Sequence, residues 1–400
     1  MTAKGRFPTQ LVHTLKTHHG PVNAVTFSSG PGTYILTGST DRAVHLSRAI
    51  PNSNNGSTIE TASPIQKYEA HGYTVLDIAV AADNSRFASV GGDRQVFLWD
   101  VEQGITMRRW GGHNARVEAV QFAGEDDVIV VSGSADTTIN IWDGRSNAHK
   151  PIQTLTEASD TVSSLHVHMP TYSIASGSYD GRVRVYDIRM GRTTVDVLGN
   201  PVTSVRCSAD GNALLTSTLD SRIRMLDRDD GKLLRAFGSG DSAKQSHISR
   251  AKPAEYHNME LRIRSVFAKG DSVVLSGSES AKDDRSAQAH IFAWDVLSGD
   301  VIASIPAGEK VKAVSCVAWN EKGKCWAGGC SDGLHACMRG LPSVSHLQDA
   351  LTCIPVRSHR LLLCHKPGGL PGGTGLKTTL MPGYCGNLLT FAWLETDLFS

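Results

Sequence analysis

The chain has 400 residues, of which 40 are lysine or arginine and 39 are aspartate or glutamate, so its net charge is close to zero. This balance argues against broad, sequence-independent binding of a polyanion, and a hydrophobic content of 40% with 39 glycines fits a turn-rich folded protein rather than a disordered one. No apolar stretch reaches the roughly 18–20 residues that cross a bilayer, and the N-terminus lacks an apolar signal core. We therefore expect no membrane association and a location in the cytoplasm and nucleus, where the eight cysteines would be reduced.

An apolar-x-x-apolar-x-apolar pattern occurs seven times along the chain. The copies start at Val22, Val75, Val117, Val162, Val202, Ile263 and Val314. Each of the first six copies is followed by a strand with apolar residues in alternate places, which ends 24 or 25 residues after the start of the copy, or 31 in the sixth. These strands end at Ser47-Arg48, Trp99-Asp100, Trp142-Asp143, Tyr186-Asp187, Leu226-Asp227 and Trp294-Asp295.

Two more strands complete each unit. One lies between the two patterns and ends in a turn of glycine, serine or threonine, and a short strand follows the second pattern. Four strands in a unit of about 40–50 residues are typical of a β-propeller blade. The repeats therefore predict an all-β propeller with seven blades.

These repeats resemble the WD-repeat family over roughly residues 11–333, and members of that family have a structural hydrogen-bond chain of His, Ser or Thr, Asp and Trp within a blade. Two blades match this chain in full, with His71, Ser89, Asp93 and Trp99 in blade 2 and His113, Ser132, Asp136 and Trp142 in blade 3. Partial matches are His19, Thr37 and Asp41 in blade 1, Ser176, Asp180 and Tyr186 in blade 4, and Thr216 and Asp220 in blade 5. The resemblance implies that these residues stabilise the blades, and we expect no catalytic residue, cofactor or metal.

The resemblance also implies that the N-terminal strand closes the ring as the outer strand of blade 7. We predict a lead-in at residues 1–10, the propeller at residues 11–333 and an aperiodic tail at residues 334–400. The third strand of blade 7 should end near Met338 or Arg339, but His335 stands where an apolar residue is expected. We therefore expect a poorly formed seventh blade.

The tail has 8 charged residues among 67 and no periodicity, and two interpretations stay open: a divergent, disordered extension or a gene-model artefact. Its glycine-rich stretch lacks the spacing of a phosphate-binding loop, because Leu376 separates Gly375 from Lys377. The cysteines near and within the tail form no C-x-x-C pair, so a zinc site is not predicted.

Segments of blades 3 to 6 resemble, within the same family, scaffolds that assemble kinase-cascade components and associate with the spliceosome. This resemblance implies a non-catalytic interaction scaffold that is a monomer within larger assemblies and whose partners are proteins. We expect Tyr179 and Leu219 to contact a partner, since they lie at turns of adjacent blades and offer apolar area.

Two alternatives stay open. A substrate receptor of a cullin-4 ubiquitin ligase has an aromatic-Asp-x-Arg motif, which Trp142, Asp143 and Arg145 match, as do Tyr186, Asp187 and Arg189. Direct RNA contact needs exposed arginines, and six arginines of blades 4 to 6 occupy alternate strand positions, which predicts a shared solvent-facing surface. They are Arg182, Arg184, Arg222, Arg224, Arg262 and Arg264.

Overall fold

The apolar patterns form antiparallel strands in a computed structural model, which describes residues 7–49, 63–238, 254–281, 288–308, 311–333 and 335–339. Apart from residues 335–339, the predicted tail lies outside the described residues. Within these ranges the strands form seven four-stranded antiparallel sheets. Among the same residues, no helix is long and apolar enough to span a membrane.

Each sheet is a blade, and in blades 1 to 6 the strands run outward from the channel in chain order. Blades 1 and 2 contain β2 Val22–Phe27, β3 Tyr34–Ser39, β4 Val44–Arg48, β5 Gln66–Tyr68, β6 Val75–Val80, β7 Arg86–Gly91, β8 Gln95–Asp100 and β9 Thr106–Gly111. Blades 3 and 4 contain β10 Val117–Ala123, β11 Ile129–Ser134, β12 Ile139–Asp143, β13 Gln153–Leu155, β14 Val162–His168, β15 Ser173–Ser178, β16 Arg182–Asp187 and β17 Arg192–Val197. Blades 5 and 6 contain β18 Val202–Cys207, β19 Ala213–Thr218, β20 Arg222–Asp227, β21 Leu233–Gly238, β22 Ser265–Ala268, β23 Val273–Ser276, β24 His290–Asp295 and β25 Val301–Pro306. Blade 7 contains β26 Val314–Asn320, β27 Cys325–Cys330, β28 His335–Arg339 and, as its outer strand, β1 Gln10–Leu15.

The blades close into a ring around a channel. The innermost strand of each blade contacts that of the next, and β26 contacts β2. Buried apolar side chains form one cluster between each pair of neighbouring blades, including the pair formed by blades 7 and 1. The all-β propeller predicted from the repeats is thus confirmed, and its hydrophobic core is divided among the contacts between blades.

In blades 1 and 3, a glycine at the end of the second strand sets how closely the next blade approaches. The first residue of every inner-strand repeat is completely buried, and Val75 and Val162 pack against the end of the second strand of the preceding blade. A Cβ on Gly133 would lie 2.7 Å from Val162 Cγ1, and a Cβ on Gly38 would lie 2.7 Å from Val75 Cγ1. Because real Cβ atoms do not approach so closely, a larger residue at Gly38 or Gly133 would force the next blade to shift.

Blade 7 differs from the expectation of a poorly formed sheet. Its third strand, β28, pairs with β27 on one side and with β1 on the other, from Gln10 opposite Arg339 to Leu15 opposite His335. The expectation of a poorly formed blade is wrong for the backbone, because ladder bonds join N–H and C=O groups and do not require apolar alternation. A side-chain hydrogen bond also joins β27 to the segment before β1, because the Trp326 indole N–H donates to the Pro8 carbonyl at 2.9 Å.

Candidate interaction site: the channel and its two rims

The His–Ser–Asp–Trp chains of blades 2 and 3 each lie within one blade, and they join the connection and the turn of that blade to its strands. In blade 3, His113 Nε2 lies 2.8 Å from Ser132 Oγ, Trp142 Nε1 donates to the same oxygen at 2.8 Å, and His113 Nδ1 lies 3.0 Å from Asp136. Blade 2 repeats the arrangement: His71 Nε2 lies 2.7 Å from Ser89 Oγ, Trp99 donates to that oxygen at 2.8 Å, and His71 Nδ1 contacts Asp93. Every polar atom of these side chains named here has a partner within its own blade, so the arrangement stabilises the blade.

The carboxylates of these chains remain ionised. Burial raises the pKa of Asp136, but hydrogen bonds from His113, Thr138 and the Asn114 backbone outweigh burial and hold that pKa well below its usual value of 3.8. The same carboxylate position in other blades accepts backbone N–H groups from the connection that enters the blade, as Asp93 does from Gly72 at 2.8 Å. These bonds fix the turns to the connections and make this end of the ring rigid.

Blade 1 uses a different histidine from the one predicted. His18, and not His19, lies 2.8 Å from both Thr37 Oγ1 and Asp41 Oδ2, whereas His19 donates only its backbone N–H to Asp41. The two histidines are adjacent and both fit the spacing to Asp41, so the sequence pattern alone does not distinguish them. His18 also stacks on His45, with ring centroids 4.0 Å apart.

Arginine replaces histidine in blades 4 and 5. Arg184 pairs with Asp180 at 2.7 Å, and both side chains are less than a tenth exposed. Arg224 pairs with Asp220, which also accepts a hydrogen bond from Asn200 at 3.2 Å. The prediction that these arginines share a solvent-facing surface is therefore wrong, because a neighbouring carboxylate neutralises each of them within its blade.

Arg262 and Arg264 of blade 6 also depart from that prediction, since they cross the central channel. Arg262 donates to the carbonyl oxygens of Leu76 at 2.7 Å and Ser163 at 2.9 Å, and its guanidinium lies 3.3 Å from Glu118. Arg264 donates to the Leu76 carbonyl at 2.9 Å and pairs with Asp77. Blade 6 is thus tied to blades 2, 3 and 4 across the ring, and of the six predicted arginines only Arg182 and Arg222 are exposed.

The upper rim is the end of the ring formed by the turns between second and third strands and by the connections between blades. Tyr179 and Leu219 lie there, but both are half-buried, and their backbone N–H groups donate to the Thr161 and Pro201 carbonyls at 2.9 and 3.0 Å. Burial raises the pKa of the Tyr179 phenol, and Arg262 and Glu118 are near enough to influence it. Tyr179 therefore lies close to the channel entrance.

The more exposed apolar side chains of the upper rim are not among those predicted. Tyr73, Met259 and Leu261 lie in connections between blades and are 65%, 62% and 47% exposed. Glu279 accepts the backbone N–H groups of Met259 at 3.3 Å and Leu261 at 2.6 Å, which holds that connection in place. These residues could have been predicted from the sequence, because apolar side chains in connections that are otherwise short and polar indicate an exposed apolar patch.

The lower rim is the opposite end, formed by the turns between first and second strands and between third and fourth strands. Both arginines of the ligase-type motifs lie there and are exposed. Arg145 lies 3.5 Å from Asp143 of its own turn, and the Arg189 guanidinium lies 4.9 Å from the centre of the Tyr172 ring. The aromatic members of the motifs, Trp142 and Tyr186, are buried, and the Asp187 carboxylate accepts the Arg189 backbone N–H at 2.9 Å.

A closed ring of four-stranded blades with His–Ser–Asp–Trp chains defines a WD-repeat β-propeller. The family model "WD domain, G-beta repeat" matches residues 9–46, and "Nucleolar protein 10-like, N-terminal domain" matches residues 73–255. WD repeat domain-containing protein 83 of Rattus norvegicus is 36% identical over 318 residues, which cover 80% of this chain and 88% of that protein. The human protein of the same name is 36% identical over 304 residues (76% of this chain, 84% of that protein), and the Dictyostelium discoideum homolog is 26% identical over 318 residues (73% and 86%). The chain belongs to the WD-repeat family, among the homologues of WD repeat domain-containing protein 83.

Proposed function

We propose that the chain is a non-catalytic scaffold that assembles components of a kinase cascade, serves as a spliceosome-associated factor, or does both, in the cytoplasm and nucleus. The observation that carries the proposal is the similarity to WD repeat domain-containing protein 83 at 36% identity over most of both chains. The polar groups that could suggest catalysis support the same role, because the His–Asp pairs of blades 1, 2 and 3 make their hydrogen bonds within their own sheets.

The upper rim is the proposed docking surface. Tyr73, Met259 and Leu261 present apolar area on connections that turn carboxylates hold rigidly, and Tyr179 borders the channel entrance between them. Aromatic and methionine side chains are common in protein interfaces. Aromatic rings bury much area at a small cost in conformational entropy, and the flexible methionine side chain adapts to the shape of a partner.

Affinity purification of tagged variants tests this proposal. The double variant Tyr73→Ser, Met259→Ser should lose kinase-cascade or spliceosomal proteins that the unaltered chain recovers from a cell lysate. The matched control is Ile105→Ser, Leu297→Ser, which removes two exposed apolar side chains of the lower rim, 55% and 77% exposed. Equal losses from both variants, or recovery of neither protein class by the unaltered chain, would contradict the proposal.

The second candidate function is that of a substrate receptor for a cullin-4 ubiquitin ligase. Its support is the exposure of Arg145 and Arg189 on the lower rim of adjacent blades, where neither pairs with a carboxylate of a neighbouring blade among the described residues. Co-purification with the ligase adaptor that is lost in Arg145→Ala, Arg189→Ala but kept in the upper-rim variant would favour this function. Absence of the adaptor from the unaltered chain would exclude it.

A further inference from the structure

A cavity of about 470 Å³ occupies the lower part of the central channel. The fifth residue of every inner-strand repeat lines it, so each blade contributes one position to a single layer. These residues are Thr26, Ala79, Gln121, His166, Arg206, Phe267 and Ala318. Ser29, Ala82 and Asp127 come from turns of the lower rim, which places the opening of the cavity at that end.

Arg206 is the ionised member of this layer. Its guanidinium donates to the Leu165 carbonyl at 3.4 Å, and no carboxylate of the described residues forms an ion pair with it. Its neighbour His166 accepts the Cys207 backbone N–H at 3.1 Å, and burial together with the charge of Arg206 lowers the pKa of His166 to about 3, so the imidazole is neutral at pH 7. Burial and the nearby Arg264 lower the pKa of Arg206 itself.

Asp77 is near enough to favour the charged form of Arg206, but it forms its ion pair with Arg264 at the wall of the cavity. Arg264 also lines it, and its guanidinium is occupied by Asp77 and the Leu76 carbonyl. Asp127, at the opening, accepts the Ala82 backbone N–H. Arg206 is half-buried and has no ion-paired carboxylate among the described residues, and partial removal of such a guanidinium from water costs free energy, so the cavity favours an anionic group.

Apolar side chains form part of the wall, although most of the surface that lines the cavity is polar. Val80, Phe122, Val167, Val266 and Trp319 line the cavity beside Phe267. A volume of this size lies within the usual range for a pocket that takes a short segment or a small ligand. These side chains also pack against the clusters between blades, so only part of each faces the cavity. A simple inorganic anion would contact Arg206 alone, whereas a carboxylate next to an apolar side chain would contact both Arg206 and these apolar faces.

We propose that this cavity binds a short acidic peptide segment of a partner protein, with a glutamate or aspartate carboxylate on Arg206 and an adjacent apolar side chain against Phe267 and Trp319. The site enters from the lower rim, so it does not depend on the docking surface proposed for the upper rim.

Calorimetry with two capped tripeptides tests the proposal: acetyl-Glu-Leu-Phe-amide and its neutral counterpart acetyl-Gln-Leu-Phe-amide. The full chain should bind the Glu peptide at least tenfold more tightly than the Gln peptide, Arg206→Gln should abolish that preference, and Arg206→Lys should restore part of it. Arg222→Gln, which removes an exposed arginine of the same blade, should keep the preference, as should the upper-rim double variant. Equal affinities of the two peptides, or undetectable binding of both at millimolar concentration, would overturn the proposal.

Melting temperature and a sulfate competition supply independent readouts. Because no carboxylate of the described residues forms an ion pair with Arg206, Arg206→Gln should leave the melting temperature unchanged or raise it in buffer without multivalent anions. A clear fall would mean that the arginine serves the fold and not a ligand. If sodium sulfate displaces the Glu peptide and binds as tightly as it does, the site is a simple anion site and the peptide assignment is wrong.

Discussion

Loss of the Arg264–Asp77 ion pair across the channel should destabilise the whole ring. The two side chains are 11% and 5% exposed, so Arg264→Met leaves a buried carboxylate without its cation. Asp77 keeps the backbone N–H groups of Ile78 at 2.8 Å and Val120 at 3.0 Å, which moderates the loss. Removal of one partner of a buried ion pair lowers the free energy of unfolding by about 3–5 kcal/mol. Because Asp77 retains two hydrogen-bond donors, we expect a loss of about 3 kcal/mol.

The assay is urea unfolding followed by tryptophan fluorescence, with midpoints compared at equal slope. A chain of this size loses about 2 °C in melting temperature per kcal/mol, so the expected fall is about 6 °C. The double variant Arg264→Met, Asp77→Asn should recover most of the loss, because it removes both charges together. The exposed Arg222→Met serves as control and should stay within about 0.5 kcal/mol of the unaltered chain.

Two outcomes would refute this reasoning. If Arg264→Met unfolds at the same urea concentration as the control, the bonds across the channel do not contribute to stability. If the double variant loses as much as the sum of the two single variants, the two groups do not interact and the ion pair is incidental.

Three further predictions concern the blades. Ser132→Ala should lower the free energy of unfolding by about 2 kcal/mol, because it leaves a buried histidine and a buried tryptophan without their shared oxygen. The control Ser47→Ala removes a buried hydroxyl that has no hydrogen-bond partner among the described residues, so it should be neutral in the same urea assay. Gly133→Ala should lower the free energy of unfolding by about 1–3 kcal/mol, because the added methyl group clashes with the next blade. The control Gly111→Ala, where a Cβ meets nothing within 4 Å, should lower it by less than about 1 kcal/mol. Similar losses in the two variants would refute the packing argument. Burial and the charge of His18 lower the pKa of His45 from the usual 6.5 to about 4. Between these two pH values the unfolded state binds more protons than the folded state. Stability therefore falls as the pH falls from 6.5 to 4, by at most about 3 kcal/mol. His45→Asn should flatten this part of the stability–pH curve, and an unchanged slope would show that His45 does not titrate as described.

Much of the fold follows from the periodicity of the sequence. Strand alternation and a spacing of 24 or 25 residues define the first three strands of a blade, and the completely buried residue at each repeat start lies between blades. The strand β28 was harder to predict, since it pairs through its backbone with two open edges and has no apolar alternation. A strand that is stabilised mainly by backbone pairing with its neighbours has little apolar alternation of its own, so its sequence predicts it only weakly.

The arginines show where periodicity is insufficient. Arg182 and Arg184 occupy the same face of β16, yet Arg182 is exposed and Arg184 is buried against Asp180. Alternation identifies the face of a strand, but a neighbouring turn decides which position on that face is covered. Arg262 and Arg264 both precede the inner strand β22, and only the closed ring shows that these positions face the channel.

The pairing of β1 with β28 can form only late in the synthesis of the chain, so it is a late step of folding. Leu15 pairs with His335, which is translated 320 residues later. At about 5–20 residues per second, the N-terminal strand waits about 15–65 seconds for its partner. Until then β27 has no third strand beside it, and Phe7 and Leu15, which are buried in the finished ring, lack the surface that covers them. The growing chain is therefore most prone to aggregate just before its last described strand emerges from the ribosome.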